Sequence, residues 1–213
     1  MKRASLKFAL VAAACFVIAD NQATAQENTT KPTTTPQIAQ PQTKEQTQTT
    51  PAQTTQTTFA ANPADVNSID AIVAAVYSVI SGDAGVKRDW NRFRSLFHPK
   101  ATLTPTGKNR AGVVGARVIT PEDYISQSGA YLEKEGFHER EIARRTEQFG
   151  NIAHVFTTYE AKHRLSDAKP FMRGINSIQL FNDGARWWVL NIVWSQETPE
   201  TPLPDKYLKS ATQ

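Results

Sequence analysis

Cysteine is almost missing from this chain of 213 residues: there is one, Cys15, and it lies inside the first apolar run. Beyond it there is none, so a chain cleaved after Ala25 carries no disulfide, no thiol nucleophile and no cysteine-bound zinc. A charge excess of one sign is missing as well. The whole chain stands at +4, but from residue 64 onward 19 Lys and Arg face 17 Asp and Glu, which leaves +2. So balanced a domain is a poor partner for nucleic acid. The apolar run from Phe8 to Ala19 is too short to span a bilayer comfortably. No phosphate-binding glycine loop occurs, and Ser95, Ser126, Ser128 and Ser177 lie in no recognisable nucleophile motif.

What is present begins with an address. Lys2, Arg3 and Lys7 precede the apolar run, and Ala23-Thr24-Ala25 follows it as a small-x-small cleavage site, so residues 1–25 read as a secretory signal peptide. The expected location is therefore outside the cytoplasm, periplasmic or extracellular. Cys15 offers a lipoprotein alternative, the one route by which a membrane would be a partner. Residues 26–62 are almost entirely Thr, Gln, Pro, Ala and Asn, and cannot bury enough surface to offset their ordering entropy. They read as a disordered linker. Residues 63–208 then form one domain with enough apolar residues for a single core, and 209–213 are a short tail.

Within the domain, Ile69, Ile72, Val73, Val76 and Ile80 recur at helical spacing, and Gly82 stands where a C-terminal cap belongs. Asp89 can cap a second, short helix through Phe97, stopped by His98-Pro99. Ala101 to Pro105 reads as a short strand, followed by a loop from Lys108 to Gly115 and another strand near Val118. Thr120-Pro121-Glu122-Asp123 is the start of a third helix, which Gly136 ends. From there the period becomes two. Phe137–Phe149, Asn151–His163, Phe171–Phe181 and Arg186–Ser195 read as four antiparallel strands. Three helices followed by a meander is an α+β plan.

The stretch Ile72 to Thr104, with Ser81-Gly82-Asp83, Asp89-Trp90, Leu96-Phe97 and Ala101-Thr102-Leu103, resembles the start of the nuclear transport factor 2-like superfamily, which includes SnoaL-like cyclases and ketosteroid isomerases. The final hairpin, Asp183-Gly184 with Trp187-Trp188-Val189, is similar to that superfamily's last pair of strands, and Arg173 to Trp194 resembles secreted bacterial members of unassigned activity. The resemblance implies a cone-shaped, curved antiparallel sheet packed on three N-terminal helices, with a cavity between the layers. It also implies where an isomerase would keep its carboxylate base, and Pro105 occupies that position. The isomerase's helix tyrosine has a counterpart in Tyr77, but two residues out of place, which turns it to another face. Dehydratases of this fold use histidines, yet His98, His138, His154 and His163 show no metal-ligand spacing. No catalytic residue, metal or cofactor is called for.

Strand register supplies a candidate pocket. If the turn at Asp183-Gly184 pairs Asn182 with Ala185, and the preceding turn pairs His163 with Pro170, one face carries the rows Ala153, Leu180, Trp187; Val155, Ile178, Val189; Thr157, Asn176, Asn191; and Tyr159, Gly174, Val193. A polar row in an apolar wall is the pattern of a small-molecule site. The ligand-binding residues expected are Thr157, Tyr159, Asn176 and Asn191, with Trp187 and Val189 as wall. The other face places Glu160 opposite Arg173 with Trp194 beside it, and exposes Trp188, Leu190 and Ile192, which a second copy of the domain would cover as a homodimer. The function expected is binding of a small apolar or amphipathic molecule. A cyclase-like or dehydratase-like lyase in the same cavity, or an assembly domain with a filled cone, are the alternatives.

Overall fold

The computed structural model describes residues 59–109 and 111–209. The signal peptide, Ala25, Cys15, nearly all of the linker and the end of the C-terminal tail lie outside the described residues. The order is α1 (Pro63–Val66), α2 (Ile69–Ile80), α3 (Trp90–Leu96), β1 (Phe97–Lys108), β2 (Val114–Ala116), α4 (Pro121–Glu135), β3 (His138–Phe149), β4 (Ile152–Lys162), β5 (Met172–Asn182), β6 (Trp187–Gln196) and a 3-10 turn, η1 (Asp205–Tyr207). The expected α+β plan is what folds.

Each helix start is written in a side chain. Asn62 accepts from Ala64, Ser68 from Ala71 and Asp89 from Arg92, while Thr120 and Asp123 close a reciprocal capping box at α4. Gly82 does not cap α2. Ser81 is the cap, in extended backbone, and Gly82 instead bridges Phe137, which ties the end of α2 to the start of β3. Arg88 occupies the space beside it. Its buried guanidinium donates to Ile80 O, Gly82 O and Leu132 O at 2.9, 2.6 and 3.0 Å, so the carbonyls ending α2 and α4 are satisfied by one side chain.

The six strands form one sheet in the order β2-β1-β6-β5-β4-β3. It is mixed rather than antiparallel, because β1 runs parallel to β6 and pairs Thr102 to Thr106 with Asn191 to Ser195. β1 is also longer than the Ala101–Pro105 expected: it continues into a hairpin with β2 that Ile119 extends by a bridge to Leu103. Register shifts in β1, β3 and β6 bend the sheet. The helices cover its concave face. Ile72, Val73, Val76 and Ile80 of α2, with Phe93, Leu96 and Leu132, meet Val155, Ile178, Leu180, Trp187, Val189 and Ile192 in one core.

The β4–β5 register is the one expected: Ala153 with Leu180, Val155 with Ile178, Thr157 with Asn176, Tyr159 with Gly174. The β5–β6 register is not. Asn182 pairs with Trp187 rather than Ala185, and a bulge between Gln179 and Leu180 shifts the rest again, so that Gln179 meets Asn191 and Asn176 meets Trp194. The cause is local. Asp183 accepts from the amides of Ala185 and Arg186, which lengthens the turn by two residues and keeps the faces, and Leu190, left unpaired at the bulge, exchanges every face beyond it.

The outer face changes accordingly. Ile192 and Trp194 belong to the inner side, where Trp194 meets Tyr124 edge-on. Arg173 pairs with Glu197 at 2.8 Å, and Glu160 with Arg140 at 2.7 Å, instead of with each other. The chain's own end covers part of this face: Tyr207 packs on Phe156, its carbonyl accepts from Thr158, and Arg145 lies over its ring.

Candidate functional site

The concave face carries a connected set of polar groups reached from three directions. α2 is amphipathic with Tyr77 on its buried side, so the phenol points at the sheet. Its hydroxyl lies 3.0 Å from Thr157 Oγ1 and accepts from Asn176 Nδ2 at 3.1 Å. The expectation that Tyr77 turns elsewhere is therefore corrected. β3 supplies what the sequence reading missed: Glu139 and Glu141. Thr157 donates to Glu141 Oε1 at 2.8 Å, and the second hydrogen of Asn176 Nδ2 reaches Glu139 Oε1 at 3.3 Å.

These bonds fix a direction. Asn176 donates to Tyr77, Tyr77 in turn has Thr157 as its acceptor, and Thr157 donates to Glu141. Arg144 closes the chain with a two-pronged salt bridge to Glu141 at 2.6–2.7 Å, and reaches Asp70 of α2 at 2.7 Å. Glu141 thus has a cation and Glu139 has only an amide. Burial pushes the Glu139 carboxyl up to about 7, with the Asn176 hydrogen bond acting the other way. Burial and then the neighbouring Glu139 charge also raise Tyr77, Tyr124 and Tyr159 above the ordinary tyrosine range.

Glu139 is enclosed by protein without being sealed from solvent. It stays partly accessible because it opens on a cleft of about 560 Å³ along the β3 edge of the sheet. α2 contributes Ala74, Tyr77, Ser78 and Ser81 to the cleft wall, β3 contributes His138 to Glu141, β4 contributes Glu160 and Lys162, and Leu165 stands at the rim. The volume is within the range of small-molecule sites. Ser81, whose hydroxyl also donates to Tyr77 O within the end of α2, fixes the wall by accepting from Glu139 N, so strand and helix cannot slide apart without losing that bond.

The residues singled out from the sequence divide three ways. Thr157, Tyr159 and Asn176 come together, but beneath the cleft: all three are buried, and Tyr77 and Glu139 stand between them and its space. Gly174 makes room for Tyr159 rather than for a ligand, since a Cβ there would sit 2.6 Å from the tyrosine oxygen. Trp187 and Val189 are on the inner face as expected and are buried in the core. Asn191 is apart from the others. It donates to Thr102 Oγ1 at 2.7 Å on β1, the consequence of the shifted register.

The histidines are occupied structurally. His98 accepts from Lys100 N, His154 meets Ser177 Oγ, and His163 stacks on Phe171. His138 alone reaches the cleft, where Asp83 holds it at 2.9 Å. Among the described residues no group of three or more His, Cys, Asp or Glu could hold a metal ion. One sequence signal would have found the carboxylates. Period-two counting from the buried Phe137 puts Glu139 and Glu141 on the same face as it, an inward pair of acids that must be answered.

No protein-family model matches this chain, and no curated protein matches it. Solved structures do. A protein of unknown function with a cystatin-like fold from Nostoc punctiforme is 12% identical with a TM-score of 0.47, over 64% of this chain and 92% of that one. A nuclear transport factor 2-like protein of unknown function from Shewanella baltica is 13% identical with a TM-score of 0.41, over 60% and 89%. LinA is 12% identical with a TM-score of 0.45, over 62% and 85%. No activity comes to this chain with likenesses of that size. In fold, a curved α+β sheet under helices, the chain is similar to nuclear transport factor 2-like proteins.

Proposed function

We propose that this is an exported domain that binds a small amphipathic molecule in the cleft between α2 and β3, with the molecule's polar group on Glu139 and Tyr77. Export rests on the N-terminal sequence pattern, and binding rests on one observation. A carboxyl with no cation of its own stands at a solvent-reachable cavity floor, braced from behind by Asn176, Tyr77 and Thr157. A group in that position favours a ligand that can hydrogen-bond to it, since it otherwise loses hydration without return. The apolar contribution comes from Ala74 and Leu165.

Native mass spectrometry of the full chain purified from its own host tests this. Wild type should retain a small-molecule mass that Ala74→Trp, which fills the cleft from an exposed position of α2, loses while remaining folded. Equal retention by both would place the ligand elsewhere.

A second reading is favoured by the same carboxyl. A group near 7 can both accept and donate a proton at neutral pH, so Glu139 suits proton transfer at a carbon or oxygen of the bound molecule, with the Tyr77 hydroxyl beside the path. That is lyase or isomerase chemistry without a metal. Glu139→Gln separates the two readings: a binding domain keeps its ligand, while an enzyme keeps the ligand and loses turnover.

A further inference from the structure

The outer face of the sheet is divided by the chain's own end. Tyr207 lies on Phe156 under Arg145, and its carbonyl accepts from Thr158, so the segment after β6 stands above the middle of β3 and β4. Between it and the β3–β4 and β5–β6 turns the face stays open. The register aligns Phe149, Ile152, Phe181 and Trp188 across β3, β4, β5 and β6 in the row nearest those turns. Phe149 and Ile152 are 86% and 59% exposed, and Phe181 and Trp188 are partly exposed. Two residues further along each strand come Glu147, His154 and Gln179, paired in the same way. Ala153 and Leu180, between the rows in sequence, are buried in the core, so both rows share the outer face. His154 meets Ser177 Oγ, whereas the side chains of Glu147 and Gln179 are exposed and hold no hydrogen bond or ion pair among the described residues. The indole is fixed in place, with the Arg186 guanidinium 3.6 Å from its ring centre and its Nε1 donating to Asp183 at 2.7 Å. The result is a shallow trough with an aromatic and apolar wall, a polar floor and Tyr207 on the far side. Its rows lie about 7 Å apart and the wall runs for about 14 Å, at the usual rise along strands and spacing between them.

We infer that this trough binds a neutral, extended oligosaccharide, whose C–H ring faces lie on the row from Phe149 to Trp188 and whose hydroxyls reach Glu147, His154 and Gln179. The site is separate from the cleft between α2 and β3 and does not depend on it. The two rows together select the occupant. A purely apolar cover would strip Glu147 and Gln179 of water, at about 1–3 kcal/mol for each group left unpaired. A sugar hydroxyl both donates and accepts, so one kind of ligand serves a carboxylate, an imidazole and an amide. The C–H faces of the same ligand are an apolar surface for the exposed rings to bury. A second sheet laid flat would meet Tyr207 before it met the row. A peptide would find no strand edge on β4 or β5, which are paired on both sides within the sheet. An acidic sugar would meet the charge of Glu147, which leaves the neutral ones.

The probes are cellohexaose and chitohexaose, both neutral and extended, titrated into the full chain and followed by amide chemical shifts. Shifts should gather at residues 147–154, 179–181 and 188. Phe149→Ser, at a position too exposed to carry the fold, should weaken binding about tenfold, and Gln179→Ala should weaken it several-fold. Ala74→Trp, which fills the other cleft, should leave it unchanged. If neither sugar shifts those residues at millimolar concentration, or Phe149→Ser binds as wild type does, the inference fails and the cleft stands. It fails equally if wild type is a dimer that Phe149→Ser dissociates, since the row then belongs to a second copy.

Discussion

Replacing Glu139 by glutamine removes one titrating proton and almost nothing else. The amide keeps the length of the side chain and an oxygen that can accept from Asn176, as Glu139 Oε1 does at 3.3 Å. The carboxyl's folded-state midpoint is about 7 against 4.5 for a free side chain, because burial disfavours its charge. Below about pH 4.5 both states carry the proton and the group costs nothing. From there to about pH 7 the unfolded chain ionises while the folded one does not, so stability falls as pH rises, and above 7 the cost is constant. The gap, at about 1.36 kcal/mol per pH unit, amounts to about 3 kcal/mol, an upper figure because the cleft leaves the group partly hydrated. Urea denaturation of wild type and Glu139→Gln at about pH 4 and about pH 8 isolates it. The variant should match wild type at the lower pH and exceed it by 2 to 3 kcal/mol at the higher, about 3 at most. Carboxylates held low by partners, such as Asp65 beside Arg92, lose stability at acid pH in both proteins and cancel in the comparison. A constant difference between the two proteins at both pH values would refute the reasoning.

Other expectations follow from single contacts. Arg88→Met strips the carbonyls of Ile80, Gly82 and Leu132 of their donor, and should cost on the order of 3 kcal/mol in urea unfolding. Gly174→Ala drives a methyl to 2.4 Å from Ser195 O and 2.6 Å from the Tyr159 oxygen; it should destabilise by about 1–3 kcal/mol and shift the Tyr159 ring resonances. Tyr207→Ala uncovers Phe156 and removes the ring under Arg145, costing about 1 kcal/mol. Light scattering of wild type at micromolar concentration checks the homodimer expected of the outer face: a dimer supports it, and a strict monomer counts against it.

Much of the architecture was legible because it is written locally. Thr120-Pro121-Glu122-Asp123 starts α4 whatever surrounds it, and the Ser68 and Asp89 caps behave likewise. The β4–β5 register was legible for the same reason, since a turn fixes pairing for a whole strand. The β5–β6 register depended on which amides Asp183 would accept from, and a two-residue difference there, followed by a bulge, moved Asn191 to Thr102 and Trp194 to Tyr124. The parallel β1–β6 pairing is a non-local contact that no turn announces. Glu139 was passed over because an acid on a strand ordinarily faces water, and only the parity set by Phe137 says that this one does not. Tyr77 was judged by a motif's spacing, whereas the helix rotation that decides its direction is set by how Val73, Val76 and Ile80 pack.

The central claim is that the cleft floor holds a carboxyl poised to exchange its proton near neutrality. Carbon-13 NMR titration of the glutamate side-chain carboxyls in the full chain, with Glu139→Gln identifying the resonance, measures it directly. A midpoint near 7 that falls when a cation is placed beside it, as by Ala74→Lys, is the result this account predicts. A midpoint close to 4.5, the value of an unburied carboxyl, would contradict it.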